Sequence, residues 1–135
     1  MIHIDSSFVI DLLREQRRRQ PGPASRWVAS HGDEPLAASV FVWCELESGA
    51  AAADRPEEQQ KALRDFVNAV TLVFPDERFA PEYGATLDRM QRRGATIGTM
   101  DLLIATTALV AGAPILTANV RHFDAVPGLR VLPYR

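Results

Sequence analysis

The sequence predicts an α/β fold of three layers, in which a mostly parallel central sheet is flanked by helices on both faces. Two observations support this. Short apolar runs alternate with longer segments of helical periodicity, and the runs are far enough apart for helical crossovers. The 135 residues also contain no internal repeat, no low-complexity tract and no linker. We therefore expect a single domain that spans residues 1–135.

The first half of the chain is predicted to hold two strands and four helices. The strands are the apolar runs 2–4 and 36–38, and a turn is expected at 31–33, shortly before the second strand. The helices are expected from about residue 6 to just before Pro21, around Trp27, from 40 to about 52, and from 56 to 70. Ser6 or Ser7 can cap the first helix and Ser39 the third, because serine hydroxyls accept hydrogen bonds from amides of a first helical turn.

The second half continues the same alternation. Strands are expected at 71–74, 114–117 and 129–132, and helices at about 80–93 and 100–111. Thr99 can cap the second of these helices, and Gly112 ends it. Residues 94–98 form a loop, and residues 119–124 form either a loop or a short helix.

Composition and charge exclude several classes of protein. Fifteen Lys and Arg against 17 Asp and Glu give a net charge of −2, which excludes a strongly basic nucleic-acid binder. Cys44 is the only cysteine, so the chain has no internal disulfide and no cysteine-based zinc site; we expect it to be a buried thiol. The uncharged stretch 102–118 is too short and too broken by Gly112 and Pro114 to cross a membrane. With no signal-like start, a cytoplasmic protein is expected.

Three acidic residues occupy positions where parallel α/β sheets bind ligands. Asp5 follows the first strand, Glu45 lies early in the helix after the second strand, and Asp101 lies in a first helical turn. Clustered carboxylates repel one another unless a cation lies between them, and oxygen ligands favour Mg²⁺ or Mn²⁺. Taken singly, each acid also has a purely structural interpretation: a turn residue, a helix-dipole partner and a solvated surface side chain.

Four segments of the chain together resemble the signature segments of PIN-domain proteins, in particular the VapC-type toxins of bacterial toxin–antitoxin pairs. They are 2–13 (IHIDSSFVIDLL), 39–49 (SVFVWCELESG), 98–105 (GTMDLLIA) and 116–129 (LTANVRHFDAVPGL). They occur in the order and at the spacing of that family and span almost the whole chain. The resemblance makes the predicted fold a PIN-like one.

The resemblance implies an endoribonuclease that depends on Mg²⁺ or Mn²⁺ and hydrolyses RNA phosphodiester bonds with metal-activated water. It implies that Asp5, Glu45, Asp101 and Asn119 form the catalytic pocket. Asp5 and Asp101 would be the principal metal ligands, Glu45 a further ligand or the residue that orients the attacking water, and Thr117 a supporting residue. It also implies a cognate antitoxin and a homodimer as partners, besides the RNA substrate.

The last segment departs from the family pattern. Many relatives carry an acid at the position of Asn119, of His122, or of both, whereas neither is acidic here. Whether one metal ion or two would bind is therefore left open. Two alternatives also stay open: a non-toxic PIN-type nuclease that processes RNA or structured DNA, and a degenerate PIN domain that only binds RNA or protein. A phosphoacceptor receiver domain is disfavoured, because Asp5 has no acidic neighbour and Lys61 is the only lysine.

Basic and aromatic residues provide candidate contact surfaces. The candidate RNA contacts are arginines near helix ends or near the predicted pocket: Arg17, Arg18, Arg92, Arg93 and Arg121. Solvated arginines at helix ends are the structural alternative. The aromatic residues of the first helices are expected in the core; exposed, they would offer an antitoxin segment an apolar groove. These aromatic residues are Phe8, Trp27, Phe41 and Trp43.

Overall fold

The computed structural model describes residues 1–135 as five strands and seven helices. The strands are β1 (Ile2–Ile4), β2 (Leu36–Ser39), β3 (Thr71–Val73), β4 (Ile115–Thr117) and β5 (Val131–Pro133). The helices are α1 (Ser6–Arg18), α2 (Pro23–Ser30), α3 (Val40–Ala51), α4 (Pro56–Ala69), α5 (Phe79–Arg92), α6 (Thr99–Val110) and α7 (Val120–Asp124). Every predicted element is present, and in the segment 119–124 residues 120–124 form a short helix.

The five strands form one sheet in the order β3-β2-β1-β4-β5, and every pairing is parallel. The predicted fold class is thus confirmed, with a sheet that is wholly rather than mostly parallel. Parallel crossovers are right-handed in nearly all proteins. This rule places the helices of the β1–β2 and β2–β3 connections on one face of the sheet, and α5, α6 and α7 on the other.

The strand order creates a crevice between β1 and β4. From β1 the chain proceeds to β2 on one side, whereas from β4 it proceeds to β5 on the other side. The two strands are paired in the sheet, with Ile4 opposite Leu116. In such sheets ligands bind outside the carboxyl ends of the strands at the point where the connections diverge. The residues directly after Ile4 and Leu116 therefore lie at the mouth of this crevice.

The core is built on β1 and β4 and on the helices that cover them. Ile4, Phe8, Leu116 and Phe123 are almost completely buried. Helix α6 is buried around most of its circumference, and it includes two buried threonines. Their hydroxyls donate to carbonyl oxygens one turn earlier in the same helix, at 2.7 and 2.9 Å. Because its polar groups are satisfied internally, α6 can run through the interior and hold its first turn in a fixed place.

Two of the three predicted helix caps are wrong. Asp5, not Ser6 or Ser7, is the N-cap of α1, and its carboxylate accepts a hydrogen bond from the amide of Phe8. The N-cap position of α6 is Gly98 rather than Thr99, and no side chain caps that helix. The prediction for Ser39 is confirmed, since its hydroxyl accepts from the amide of Val42 at 3.3 Å. An acidic cap at Asp5 leaves the two serines free to make other contacts.

Helix α3 corrects the prediction for the single cysteine. Cys44 is exposed, not buried. The buried residues of α3 are Val42, Leu46 and Ala50, and a residue two positions from a buried one lies on the opposite side of a helix. Among the aromatic residues expected in the core, Phe8 is fully buried, whereas Trp27, Phe41 and Trp43 are partly buried against the core. None of the seven helices has the length and apolar character needed to cross a membrane.

Candidate functional site

Asp5 directly follows β1, as predicted, and there it lies at the crevice between β1 and β4 with only 3% of its surface exposed. The strand ends at Ile4 and α1 begins at Ser6, so the carboxylate occupies the junction between them. Its Oδ1 atom accepts from the Ser7 hydroxyl at 2.7 Å and from the Phe8 amide at 3.2 Å. Its Oδ2 atom accepts from the Thr117 hydroxyl at 2.6 Å. Three donors thus fix the orientation of one buried acidic group.

Two hydroxyls connect the Asp5 carboxylate to the segment after β4. Thr117 is fully buried, and its Oγ1 atom also accepts from the backbone amide of Asn119 at 2.8 Å. The Ser7 hydroxyl accepts from the backbone amide of Ala118 at 3.2 Å. Each hydroxyl therefore donates to the acid and accepts from an amide, which uses both its hydrogen-bonding roles. The network ties the start of α1 to the end of β4 across the mouth of the crevice.

The surroundings of Asp5 disfavour its charged form. Burial raises the pKa of the Asp5 carboxyl above its usual value, and the nearby Asp101 carboxylate raises that pKa further by repulsion. The hydrogen bonds from Thr117, Ser7 and Phe8 oppose these effects but do not cancel them. Two carboxylates close enough to repel each other in a partly dry crevice form a site that a cation would stabilise.

Asp101 lies in the first turn of the buried helix α6, with its side chain 29% exposed. The basic side chain within ion-pair distance is that of His122 in α7, whose Nδ1 atom lies 3.5 Å from Asp101 Oδ2. The His122 side chain is 64% exposed. A histidine therefore contacts the second acid of the site, on the same short helix that Asn119 precedes.

Glu45 is held at the edge of the site by Ser6. The Ser6 hydroxyl donates to the Glu45 carboxylate across 39 positions of sequence. Ser6 directly follows Asp5, so the contact anchors Glu45 beside the residue that carries the buried acid. The structure thus brings Asp5 and Asp101 near each other and places Glu45 on their flank.

The donor set fits a hard divalent cation. Asp5 and Asp101 offer carboxylate oxygens, and no three of the chain's His, Cys, Asp and Glu side chains lie close enough together to hold one ion by themselves. Mg²⁺ is usually held by one or two protein carboxylates, with waters and substrate phosphates as its other ligands. Two neighbouring carboxylates at an open crevice meet that requirement. The ligand roles of Asp5, Asp101 and Glu45 stay predictions.

The remaining predicted site residues lie at or beyond the rim. The Asn119 side chain is exposed and makes no hydrogen bond. Its backbone N–H, by contrast, donates to the Thr117 hydroxyl. All five candidate RNA-contact arginines are exposed. Arg92 is paired with Asp88 at 2.8 Å, whereas the other four make no ion pair. These four are Arg17, Arg18, Arg93 and Arg121.

Sequence reasoning missed the part that Ser6 and Ser7 play in the site. Both were interpreted as helix caps, whereas each donates to a predicted catalytic acid. The available signal was their position: two hydroxyl residues directly follow an acid at the carboxyl end of a strand. At that edge of a parallel sheet, polar side chains converge.

The whole arrangement matches a known family. The family model of the PIN domain matches residues 2–129. Ribonuclease VapC19 of Mycobacterium tuberculosis is 33% identical over 130 residues, which cover 94% of this chain and 95% of that protein. Ribonuclease VapC1 of Haemophilus influenzae is 25% identical over 94% of this chain and 92% of its own length.

Solved structures agree with the sequence matches. The structure of VapBC2 from Rickettsia felis bound to a promoter DNA fragment superposes with a TM-score of 0.89 at 22% identity, and the match covers all of both chains. The structure of VapBC-1 from nontypeable Haemophilus influenzae gives a TM-score of 0.84 at 26% identity, over 99% of this chain and 98% of that one. The fold and the order of its elements are therefore those of these chains from end to end.

Proposed function

The chain belongs to the PIN domain family, and we propose from this premise that it is an endoribonuclease, the toxin of a toxin–antitoxin pair. The observation that carries the proposal is the buried Asp5 carboxylate. It lies at the crevice between β1 and β4, accepts a hydrogen bond from Thr117 and is repelled by Asp101. The relatives named as VapC ribonucleases cover more than nine-tenths of this chain. RNA is therefore the proposed substrate.

Asp5 and Asp101 would hold Mg²⁺ or Mn²⁺, with Glu45 at the flank as a further ligand or as the group that orients water. Such an ion lowers the pKa of bound water and stabilises negative charge on the leaving oxygen of a phosphodiester. Burial keeps the Asp5 carboxylate dry, which strengthens its attraction for a cation. An RNA phosphate would complete the site, because the structure offers two carboxylates there rather than a full protein cage.

The other residues of the site have supporting tasks. Thr117 and Ser7 fix the two oxygens of Asp5, so the carboxylate enters the reaction already oriented. Asn119 offers an uncharged amide at the rim, where it can hydrogen-bond a phosphate or a ribose. Arg121, exposed and unpaired on the next turn of chain, supplies a positive charge for the RNA backbone.

The proposed partners follow from the relatives. A further solved neighbour, VapBC-5 from Mycobacterium tuberculosis, is described as a member of the VapBC family of toxin–antitoxin systems, which implies a cognate antitoxin for this chain. We propose that the chain forms a homodimer. An RNA substrate implies that it acts in the cytoplasm.

The test is induced expression of the wild type beside Asp101→Asn. We expect the wild type to arrest growth and the variant to permit it. Purified wild-type protein should cleave RNA when Mg²⁺ or Mn²⁺ is added. The variant should lose at least about 100-fold in rate, since even residues that only orient a metal ligand are worth 10–100-fold. Asp65→Asn, which removes an exposed carboxylate of α4, is the matched control and should behave as wild type.

Three other outcomes would point elsewhere. Cleavage of RNA without growth arrest would favour a non-toxic processing nuclease. Absence of cleavage, together with no heat of Mn²⁺ binding by calorimetry, would favour a degenerate domain, for which Asn119 and His122 are the sequence grounds. Equal cleavage by the wild type and by Asp101→Asn would show that this carboxylate is dispensable and would contradict the proposed site.

A further inference from the structure

A groove is lined in part by Glu45. Its first hollow has a volume of about 240 Å³ and is lined by side chains of α1, α3 and α4. The polar lining consists of Arg14 and Arg17 of α1, Glu45 of α3 and Gln59 of α4. Glu45 therefore takes part in two contacts: it accepts a hydrogen bond from Ser6, the residue after Asp5, and it also lines the groove. We call this feature the Arg17 groove.

The groove continues along α1 and α4. A second hollow of about 260 Å³ shares Leu13, Arg17 and Gln59 with the first. Arg17 thus lies where the two hollows join. The two together form a path that leads from the surface between α1 and α4 towards Glu45.

The charges along this path favour an anion. Arg17 makes no ion pair, so its guanidinium is free to bind. Arg14 lies 3.5 Å from Asp11, but Asp11 is also bound by Tyr134 at 2.7 Å and by Arg135 at 3.2 Å.

Acidic residues offset only part of this charge. The first hollow holds one carboxylate, Glu45, whose Oε1 atom accepts from the Ser6 hydroxyl, against the two guanidinium groups of Arg14 and Arg17. Glu58 in the second hollow faces its own partner, Arg55, at 3.7 Å. The α1 wall of the groove therefore carries the uncompensated positive charge.

The floor of the groove suits a flat apolar group. Leu13, Leu46 and Leu63 line the first hollow, and Ile10 beside them is 45% exposed, which is high for a large aliphatic side chain. A volume of 240 Å³ is many times the roughly 10–15 Å³ that a single water requires. This is room for a group larger than a phosphate alone. Single-stranded RNA combines a charged backbone with flat bases that pack on apolar surfaces.

We propose that the Arg17 groove holds the RNA strand on one side of the cleaved bond, with Arg17 contacting a backbone phosphate. This inference rests on the proposed ribonuclease function and adds the direction in which the substrate leaves the site. It also distinguishes two adjacent arginines that are both predicted RNA contacts: Arg17 lines both hollows, whereas Arg18 lines neither. A protein segment is the competing occupant, but an unpaired guanidinium where the two hollows join matches a phosphodiester chain better, because arginine binds phosphate oxygens through charge-assisted hydrogen bonds.

The experiment measures binding of a fluorescently labelled single-stranded RNA of mixed sequence by anisotropy, at several salt concentrations. All proteins carry Asp101→Asn so that the RNA stays intact. Arg17→Gln should weaken binding about tenfold, the effect of losing one charge-assisted hydrogen bond. The slope of log affinity against log salt should also fall by about 0.7, the value for one phosphate contact with a single strand. The control, Arg64→Gln, removes an exposed arginine of α4 that does not line the groove, and it should change affinity less than about twofold.

Cleavage assays distinguish failure of this inference from failure of the proposed function. If protein with Asp101 intact cleaves RNA but Arg17→Gln matches Arg64→Gln in affinity and salt slope, the groove does not hold RNA. It would then be left for a protein segment, and the inference would be wrong. If protein with Asp101 intact neither binds nor cleaves RNA, the ribonuclease proposal itself fails. Thermal melting of each variant ensures that a loss of binding does not reflect unfolding.

Discussion

Ser6 and Ser7 are adjacent in sequence, yet they serve different acids. Side chains at consecutive positions of a helix point about 100° apart, so one hydroxyl faces Glu45 of α3 and the other faces Asp5 and the end of β4. Two acids from distant parts of the chain are thereby oriented from a single turn. The proposed site therefore depends on the first turn of α1, whose two hydroxyls orient Glu45 and Asp5.

Removal of the Ser6 hydroxyl should impair activity more than it impairs folding. In Ser6→Ala, Glu45 loses the donor that fixes its carboxylate, so we expect kcat/KM for RNA cleavage to fall about tenfold or more, as for other residues that orient metal ligands. The stability loss should be about 1 kcal/mol, the usual value of one hydrogen bond. Initial rates and urea melts measure the two effects.

Ser6→Thr, which keeps a hydroxyl, is the informative partner variant and should retain most of the activity. Ser48→Ala, on the exposed face of α3, is the control for loss of a serine hydroxyl. If Ser6→Thr is as inactive as Ser6→Ala, the hydroxyl of Ser6 does not position Glu45 and the effect is steric.

The acids themselves could be predicted from sequence, but their supporting groups could not. A carboxylate that directly follows a strand can be predicted as a site residue, because the carboxyl ends of parallel strands share one edge and ligands bind there. Which hydroxyl faces which carboxylate depends on side-chain direction at a helix start, and that direction follows from where the helix begins. A cap at Ser6 or Ser7, as the sequence predicts, would direct a hydroxyl to the amides of α1, whereas the cap at Asp5 leaves both hydroxyls for the two acids.

At the scale of elements, the N-terminus of α2 is capped by a side chain of α1. The Glu15 carboxylate accepts hydrogen bonds from the amides of Gly22, Ala24 and Ser25, at 2.7, 3.2 and 2.9 Å. Partial burial raises the pKa of the Glu15 carboxyl, but the hydrogen bonds from Ser25, Gly22 and Ala24 outweigh it, and the net pKa lies below the usual value. One acid thus serves as the N-terminal cap that no residue of α2 provides.

Loss of this carboxylate should destabilise the fold. For Glu15→Ala we expect a loss of about 1–2 kcal/mol in the free energy of unfolding, the range for removal of a strong N-cap. Because its folded pKa is lowered, Glu15 contributes stability that is present above the unfolded pKa of 4.5 and lost as pH falls through the folded value. Urea denaturation at pH 7 and near pH 3 measures both effects.

At pH 7 the wild type should be the more stable protein, and near pH 3 the difference between the two should shrink. A constant difference at both pH values would show that the loss comes from packing rather than from the charge. Glu77→Ala, a change of an exposed acid that makes no ion pair, is the matched control.

The position of the Glu15 carboxylate also restricts which residues can replace Gly22. A methyl group at this position would lie 2.7 Å from the Glu15 side-chain carboxyl carbon, too close for the present geometry. Gly22→Ala should therefore displace the carboxylate and cost a stability similar to that of Glu15→Ala. In the double variant the two losses should not add, which a double-mutant cycle by urea melts would measure. Additive losses would contradict this account.

The order of elements was predictable because alternating apolar runs and helical periodicities are local signals. Strand order was not predicted, because it depends on which distant segments pair. The cap of α2 was also hidden, because Glu15 and the helix it caps are separated by a turn. Cys44 shows a third limit: a cysteine is a poor guide to burial unless the phase of its helix is known.

At the scale of the whole molecule, the end of the chain packs back on its beginning. Tyr134 is 8% exposed, its ring meets the Phe8 ring edge-on at a centroid distance of 5.0 Å, and its hydroxyl donates to Asp11 at 2.7 Å. Burial and then the Asp11 carboxylate raise the pKa of Tyr134 to about 12, so the phenol stays a donor at neutral pH. The contact holds α1 against the core from the far end of the chain.

Tyr134→Phe should keep the ring contact and lose the hydrogen bond. We expect a cost of about 1–2 kcal/mol, because the bond goes to a charged acceptor, and unchanged RNA cleavage at temperatures where the variant is folded. Tyr134→Ala should cost about 3–5 kcal/mol, the range for loss of a large buried side chain. Thermal and urea unfolding test both values. Equal stability of wild type and Tyr134→Phe would show that the bond to Asp11 contributes nothing net.

The contact between Asp5 and Thr117 also determines when the site can form during synthesis of the chain. The two residues are 112 positions apart, and ribosomes add roughly 5–20 residues per second. The acid is therefore made about 6–22 seconds before the hydroxyl that orients it. Until β4 joins the sheet, a nascent chain carries Asp5 without its crevice. A protein that attacks RNA in this way would be harmless to the messenger and ribosome that produce it for most of its own synthesis.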